Sequence, residues 1–350
     1  MICRSPNKDV SIDINILFFV SITNIFKIQN CSFVFNHFSQ VAIGSTDGSI
    51  QVYDINKTLT KSFQAHNKQS VINRLVLLSN TSLIASISDD KTISVWSTID
   101  WSLKLTYAEH TGNVFALALL SDDSLLGTIA SGGSDMSIHV WFLRNGSQIK
   151  TFSVNETILT LLYLGGDILA QSGDLFGHIN VWNLRTSTLE MKLVGHNDSV
   201  NDMILLDGGL MASASDDQSI IIWDLTTKQT IHRLFGHTMR VHSLKVVGFN
   251  LMASTSADST IRVWNWKTGE ALNILTSHTG PVECALDVFS QDGTLISASL
   301  DRTVRFWNVN AAQSVDSLNV ALTMKALVVL EMAGRLIFLF IDISTDYLVK

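Results

Sequence analysis

The sequence predicts an all-β protein built from repeated four-stranded antiparallel units, and three observations predict it. A short strand ending in an aromatic residue recurs seven times: "IQVYD" (Ile50–Asp54), "ISVWS" (Ile93–Ser97), "IHVWF" (Ile138–Phe142), "INVWN" (Ile179–Asn183), "IIIWD" (Ile220–Asp224), "IRVWN" (Ile261–Asn265) and "VRFWN" (Val304–Asn308). Its aromatics are Tyr53, Trp96, Trp141, Trp182, Trp223, Trp264 and Trp307, spaced 43, 45, 41, 41, 41 and 43 residues apart. The copies are flanked by apolar runs of period two, bounded by Gly, Asp and Ser turns, the pattern of half-buried antiparallel strands. A fixed period of this length marks a unit that buries its apolar faces only against neighbouring copies.

Each unit follows one order. A Gly-His-like pair comes first and supplies His66, His110, His196, His237 and His278. An alternating apolar run follows, such as "VHSLKVV" (Val241–Val247), then a second that ends in serine, such as "LMASTS" (Leu251–Ser256). A tight turn with aspartate, such as "ADST" (Ala257–Thr260), leads into the Trp strand. A fourth run, such as "EALNILTS" (Glu270–Ser277), leads to the next histidine. The aspartate stands six residues before the aromatic (Asp47, Asp90, Asp135, Asp217, Asp258, Asp301) and a serine eight before it (Ser45, Ser88, Ser215, Ser256, Ser299).

On these residues the chain resembles the WD-repeat (WD40) family of β-propellers, whose units carry a Gly-His and a Trp-Asp signature. The resemblance runs from about residue 25 to at least Asn308. It implies a WD40 β-propeller of four-stranded antiparallel blades, with seven clear repeats and a degenerate eighth over about 318–350. Leu17–Asn24 would then supply an outer strand that closes the ring, and 17–350 would form a single propeller. Residues 1–16 are expected to be an extension that need not be ordered. The alternative is seven blades followed by an irregular tail.

The resemblance also implies that His, Ser, Asp and Trp form a hydrogen-bonded tetrad in each complete unit. A buried imidazole and a buried indole N–H both need partners, so a structural role suits the set. Catalysis needs one nucleophile–base pair with an orienting group, not the same set stamped around a ring. The units are unequal. The fourth has Val154 in place of His and Phe176 in place of Asp, with Asp174 nearby; the third has Gly133 in place of the serine; the first has no clear His. These units are expected to rest mainly on apolar packing.

In related propellers partner contacts flank the apolar residue that follows the His, or just precede the turn aspartate. Carried over, the rim comprises Asn113 and Phe115, Asn201, Arg240 and His242, Glu283, Asp89 and Asp216, with Ser70, Ile72, Leu159, Leu175 and Leu300 beside them. Aromatics and arginine are the usual interface anchors, which singles out Phe115 and Arg240.

Composition bounds the function. Of 350 residues, 46% are hydrophobic and 16% charged, which fits a packed globular chain. The net charge of -7 and a pI of about 5.8 argue against nucleic-acid binding, which draws on Lys and Arg. Cys3, Cys31 and Cys284 are odd in number, far apart and without a CxxC pair. A zinc site, another metal centre or a disulfide framework is therefore not expected, nor any cofactor, and a reducing compartment follows. "INILFFVSI" (Ile14–Ile22) reads as a buried strand rather than a signal segment, because no small-residue cleavage site follows it. "LVVLEMAGRLIFLFI" holds Glu331 and Arg335 and is too short to span a bilayer, so no membrane partner is expected. The resulting expectation is a non-enzymatic scaffold: a monomeric propeller within a complex, cytoplasmic with the nucleus as alternative, binding other proteins or peptides. The rival reading is a substrate-recognition or adaptor subunit of a larger enzyme complex, such as a ubiquitin ligase.

Overall fold

The computed structural model describes residues 2–5, 8–13, 40–54, 58–78, 82–121, 127–173, 177–282, 284–288, 294–319 and 324–330. The chain divides into two compact units. In one of them, Ile2–Ser5 and Lys8–Asp13 pair as an antiparallel hairpin. The other, Gln40–Leu330, is a seven-bladed β-propeller in which every blade is a four-stranded antiparallel sheet. Blade five shows the order from the inside outward: Val200–Leu206, Leu210–Ser215, Ile220–Asp224 and Gln229–Leu234.

The innermost strands contact one another in sequence around the ring, and Cys284–Val288 of blade seven meets Met324–Leu330, which starts the first sheet. That first sheet runs Met324–Leu330, Gln40–Ser45, Ser49–Asp54 and Leu59–Gln64, so the two ends of the propeller are joined by hydrogen bonds between Val41 and Val329 and their neighbours. The seven repeats thus become seven blades. The eighth unit expected from about 318 is corrected: Met324–Leu330 is the inner strand of blade one. It does not start a further blade, because it pairs in register with the unpaired edge of Gln40–Ser45. Leu17–Asn24, assigned the closing strand, and 331–350 lie outside the described residues.

Each blade is a half-core. The Trp strand is buried along nearly its whole length in "IIIWD" and "ISVWS" because blades cover both of its faces, so it reads as a continuous apolar run. The tryptophan packs against the preceding blade: Trp264 joins Ala212, Ile220 and Ile222 of blade five, and Trp223 joins Ala170, Ile179 and Val181 of blade four. A tryptophan covering roughly 150–250 Å² contributes about 4–6 kcal/mol at 25 cal/mol per Å². The ring is therefore held as a series of apolar slabs between neighbours.

The outermost strands are exposed, as in Leu59–Gln64 and Gln148–Ser153. They are also irregular: pairing slips opposite the aromatic in every blade, as between Ile222 and Trp223 and between Val263 and Trp264. Such bulges twist an edge away from further pairing. The turn into the Trp strand is equally periodic. The residue after its aspartate has positive φ in blades two, three, five, six and seven: Lys91 71°, Met136 57°, Gln218 70°, Ser259 66° and Arg302 65°. Blade one meets the same demand with Gly48, at 81°.

Candidate functional site

Blade five builds the tetrad completely. His196, in the loop entering the blade, donates from Nδ1 to Asp217 at 2.9 Å and meets Ser213 Oγ through Nε2 at 2.8 Å. Trp223 Nε1 donates to the same Ser213 Oγ at 2.7 Å. With the Nδ1 proton directed at the carboxylate, Nε2 is the acceptor of the serine proton, and every polar atom of the set is used. Asp217 also accepts the backbone N–H of Asn197 and the hydroxyl of Ser219. Burial pushes its carboxyl up, but the hydrogen bonds from His196 and Ser219 outweigh it and hold the group well below the usual carboxylate range. The loop is thereby tied to the blade it enters.

The same geometry recurs with His66, Ser86, Asp90 and Trp96, and with His237, Ser254, Asp258 and Trp264. It recurs again with His278, Ser297, Asp301 and Trp307. The expected serine is corrected. The tetrad uses the serine ten residues before the tryptophan, not the one eight before it. The latter holds the turn together instead, since Ser215 Oγ accepts the Asp217 N–H at 3.1 Å and donates to the Asp198 carbonyl at 3.1 Å.

This shift also corrects the expectation of a weak third unit. His110, Ser131, Asp135 and Trp141 form a full tetrad, with 2.7 Å from His110 to both Asp135 and Ser131. Gly133 is required where a serine was expected, since a Cβ there would overlap the Asn113 carbonyl. Blade four replaces the tetrad by an amide network. Trp182 Nε1 donates to Gln171 Oε1 at 3.2 Å, and Asn180 Nδ2 donates to the buried Glu156 at 2.8 Å. Asp174 and Phe176 lie outside the described residues.

The rim residues fall into two groups. Asn201 Nδ2 donates to Asp216 Oδ1 at 2.7 Å and to the Val241 carbonyl of blade six at 2.9 Å. Asp89 is held in the same way, by Asn73, which also reaches the Val114 carbonyl of blade three. The two asparagines thus staple neighbouring blades, and the carboxylates orient them. Asn73 was missed because blade two starts its inner strand one residue later than the sequence spacing suggests. Ile72, assigned to the rim, is fully buried. The Asn113 carbonyl accepts the Ser134 N–H at 2.9 Å. Phe115 and His242 are half-buried at the starts of their inner strands, and Arg240 is exposed. Beside Arg240 stand Met239, 51% exposed, and Phe235, 69% exposed, in the loop around His237. Glu283 and Leu175 lie outside the described residues.

The channel at the ring centre is crossed by Arg74 of blade two, which donates to Asp202 of blade five at 2.8 Å. Asp202 also accepts the Leu244 N–H and the Ser243 hydroxyl of blade six. Among the described residues no helix is long and apolar enough to cross a membrane.

Comparison with known proteins agrees with this architecture. The pattern described as "WD domain, G-beta repeat" matches residues 57–97, 101–141, 187–224, 228–265 and 269–308, more than half of the chain. Over 182 residues the chain is 27% identical to a p21-activated protein kinase-interacting protein 1-like of Xenopus laevis, covering 51% of this chain and 48% of that protein. It is 24% identical over 190 residues to Cell division cycle 20.1, cofactor of APC complex, of Arabidopsis thaliana, covering 51% and 41% respectively. It is 31% identical over 109 residues to a guanine nucleotide-binding protein subunit beta of Saccharomyces cerevisiae, covering 29% and 25%. The matches span about half or less of these relatives. Seven blades and the repeated His-Ser-Asp-Trp wiring, matched by the family pattern over five repeats, make this chain a member of the WD domain, G-beta repeat family.

Proposed function

We propose that the propeller is a non-catalytic scaffold that docks other proteins or peptides on the face where the inner strands begin. The observation that carries the reading is the exposed cluster Phe235, Met239 and Arg240, which lies on the same rim as Phe115 and His242. Aromatic, methionine and arginine side chains are the groups enriched in protein interfaces. Among the described residues the His–Asp pairs are consumed in tetrads, each closed by a serine and a tryptophan, which suits wiring rather than a nucleophile poised for substrate. The names of two relatives, an interacting protein of a kinase and a cofactor of a complex, support an interaction role. The second of these also favours the narrower reading, an adaptor subunit that brings substrates to an enzyme complex.

Affinity purification with mass spectrometry tests it, with wild type beside a Phe115→Ala/Arg240→Glu variant and a Phe235→Ala/Met239→Ala variant, each confirmed as folded by circular dichroism. The reading expects a stoichiometric partner with wild type that is lost from at least one variant. Identical partners on all three would overturn this face, and enzyme subunits among the partners would select the adaptor form.

A further inference from the structure

Blade three differs from the other blades at one position. The residue of the Trp strand paired with the tetrad-serine position (Ile43 in blade one and Gln171 in blade four) is Gln51, Ser94, Asn180, Ile221, Arg262 or Arg305 elsewhere; in blade three it is His139, opposite Ser131. His139 is 7% exposed, and its ring centroid lies 4.2 Å from that of His110. Its ring stacks on Trp141 at an interplanar angle of 10°, which fixes its plane.

The surrounding hydrogen bonds leave one atom over. Ser137 Oγ donates to Asp135 Oδ1 at 2.8 Å, so toward His139 Nε2, also at 2.8 Å, it acts as acceptor. The proton of His139 is then on Nε2, and Nδ1 is a buried lone pair that makes no hydrogen bond of ordinary geometry, although the Gln148 side chain also acts on the ring. Buried polar atoms are nearly always partnered, and an orphan of this kind needs an explanation. One ring nitrogen of each histidine and one carboxylate oxygen of Asp135 lie within 4.8 Å of one another, the one such group among the described residues.

We propose that His110, Asp135 and His139 form a closed site for a divalent transition metal of the zinc type. Two imidazoles and a carboxylate are the donors that zinc takes, and a tetrahedral ion with bonds of about 2.0–2.1 Å sets its ligands about 3.3 Å apart. That spacing lies between the 2.7 Å of the present His110–Asp135 hydrogen bond and the 4.8 Å outer limit of the group. The fourth position falls to Ser137 Oγ or a water. Metal on His110 Nδ1 displaces the proton shared with Asp135 to Nε2, which then donates to Ser131 Oγ. Ser131 continues to accept from Trp141, and its own hydrogen turns to a backbone carbonyl, as Ser86 Oγ does toward Ser94 in blade two at 3.3 Å. The outer half of the tetrad thus becomes the shell that orients a metal-bound histidine. Asp135 is only 5% exposed at its side chain, which suits a structural ion rather than one open to substrate.

The test uses the untagged full chain, stripped with chelator and titrated with Co²⁺ by absorption and with Zn²⁺ by calorimetry. One equivalent is expected, with the intense visible bands of tetrahedral Co²⁺. His139→Ser reproduces blade two and leaves the tetrad in place; it should weaken binding by roughly a hundredfold. X-ray absorption of the zinc-loaded wild type should show a nitrogen and oxygen shell with two imidazoles, and this readout stands even if the variant misfolds. No bound equivalent in wild type, unchanged binding in folded His139→Ser, or sulfur in the zinc shell would each overturn the proposal.

Discussion

Arg74 and Asp202 face one another across the middle of the ring, from blade two to blade five, with a guanidinium nitrogen 2.8 Å from the carboxylate. Asp202 is the better buried partner, 7% exposed at its side chain against 31% for Arg74. Removing either side has unequal results. Asp202→Ala leaves the Arg74 guanidinium only its 3.4 Å bond to Thr160 and strips the Leu244 N–H of its acceptor, and should cost about 2–4 kcal/mol. Arg74→Met leaves Asp202 its contacts to Ser243 and Leu244 and should cost less, about 1–2 kcal/mol. A urea-denaturation double-mutant cycle measures both; equal costs for the two single variants would contradict the asymmetry.

The two serines of each blade are separable. Ser213→Ala removes the acceptor of Trp223 and the partner of His196 at once, so it should destabilise by roughly 1–3 kcal/mol, as should Asp217→Ala. Ser215→Ala loses contacts to backbone groups only and should cost about 0.5–1.5 kcal/mol. Thermal and chemical melting of the three variants ranks them.

Acid should weaken the ring in two stages. Burial pushes the His278 imidazole below its ordinary value, against the pull of Asp301. As pH falls through the ordinary histidine range near 6.5, the unfolded chain takes up a proton that the folded chain refuses, so stability declines. The carboxyls of Asp90, Asp217 and Asp258 resist protonation too: burial pushes them up, but hydrogen bonds from His66, His196 and His237 hold them well below the usual range. Their stabilisation is full above the unfolded carboxylate value near 3.9 and is lost below it. Melting temperatures at neutral pH, between the two ranges and below the second should fall in that order; a flat profile would contradict both stages.

The turn before the Trp strand offers a gain. Lys91 and Gln218 hold φ of 71° and 70°, a conformation that costs a side-chain-bearing residue about 1–2 kcal/mol. Glycine removes that cost and adds about 0.5–1 kcal/mol of unfolded-state entropy. Lys91→Gly and Gln218→Gly should each stabilise by roughly 0.5–1 kcal/mol, read as a rise in the urea midpoint without a change in slope.

The blades were legible because the aromatic strand repeats at one period and each copy needs its neighbours. Two details were not legible, and both turn on alternation. In "SASD" the two serines, Ser213 and Ser215, sit two apart on one strand and point the same way, so spacing alone does not say which of them meets the tryptophan. The rim acids failed for another reason. Asp89 and Asp216 carry no local sign that an asparagine 16 or 15 residues upstream has turned to meet them. The blade-four network was hidden because Gln171 stands in the serine's place and Glu156, two residues beyond the Val154 that replaces the histidine, holds the Gln171 amide, a change of chemistry that keeps the satisfaction of the Trp182 N–H. Phe115 stands at the slip between Val114 and Ala116, and Arg240 directly before Val241, places that the spacing from the histidine gives in blades three and six but not in blade two.

The strand Met324–Leu330 gives synthesis an unusual order. Gln40–Ser45 is made before blades two to seven, yet its inner neighbour is made more than 270 residues later. Until then the first sheet has a bare inner edge and the nascent chain is an open arc of six complete blades, with two ends that attract one another or any other unpaired strand. The ring is thus latched in one late event, and a chaperone that guards the arc would need to protect the edge of Gln40–Ser45 until that moment.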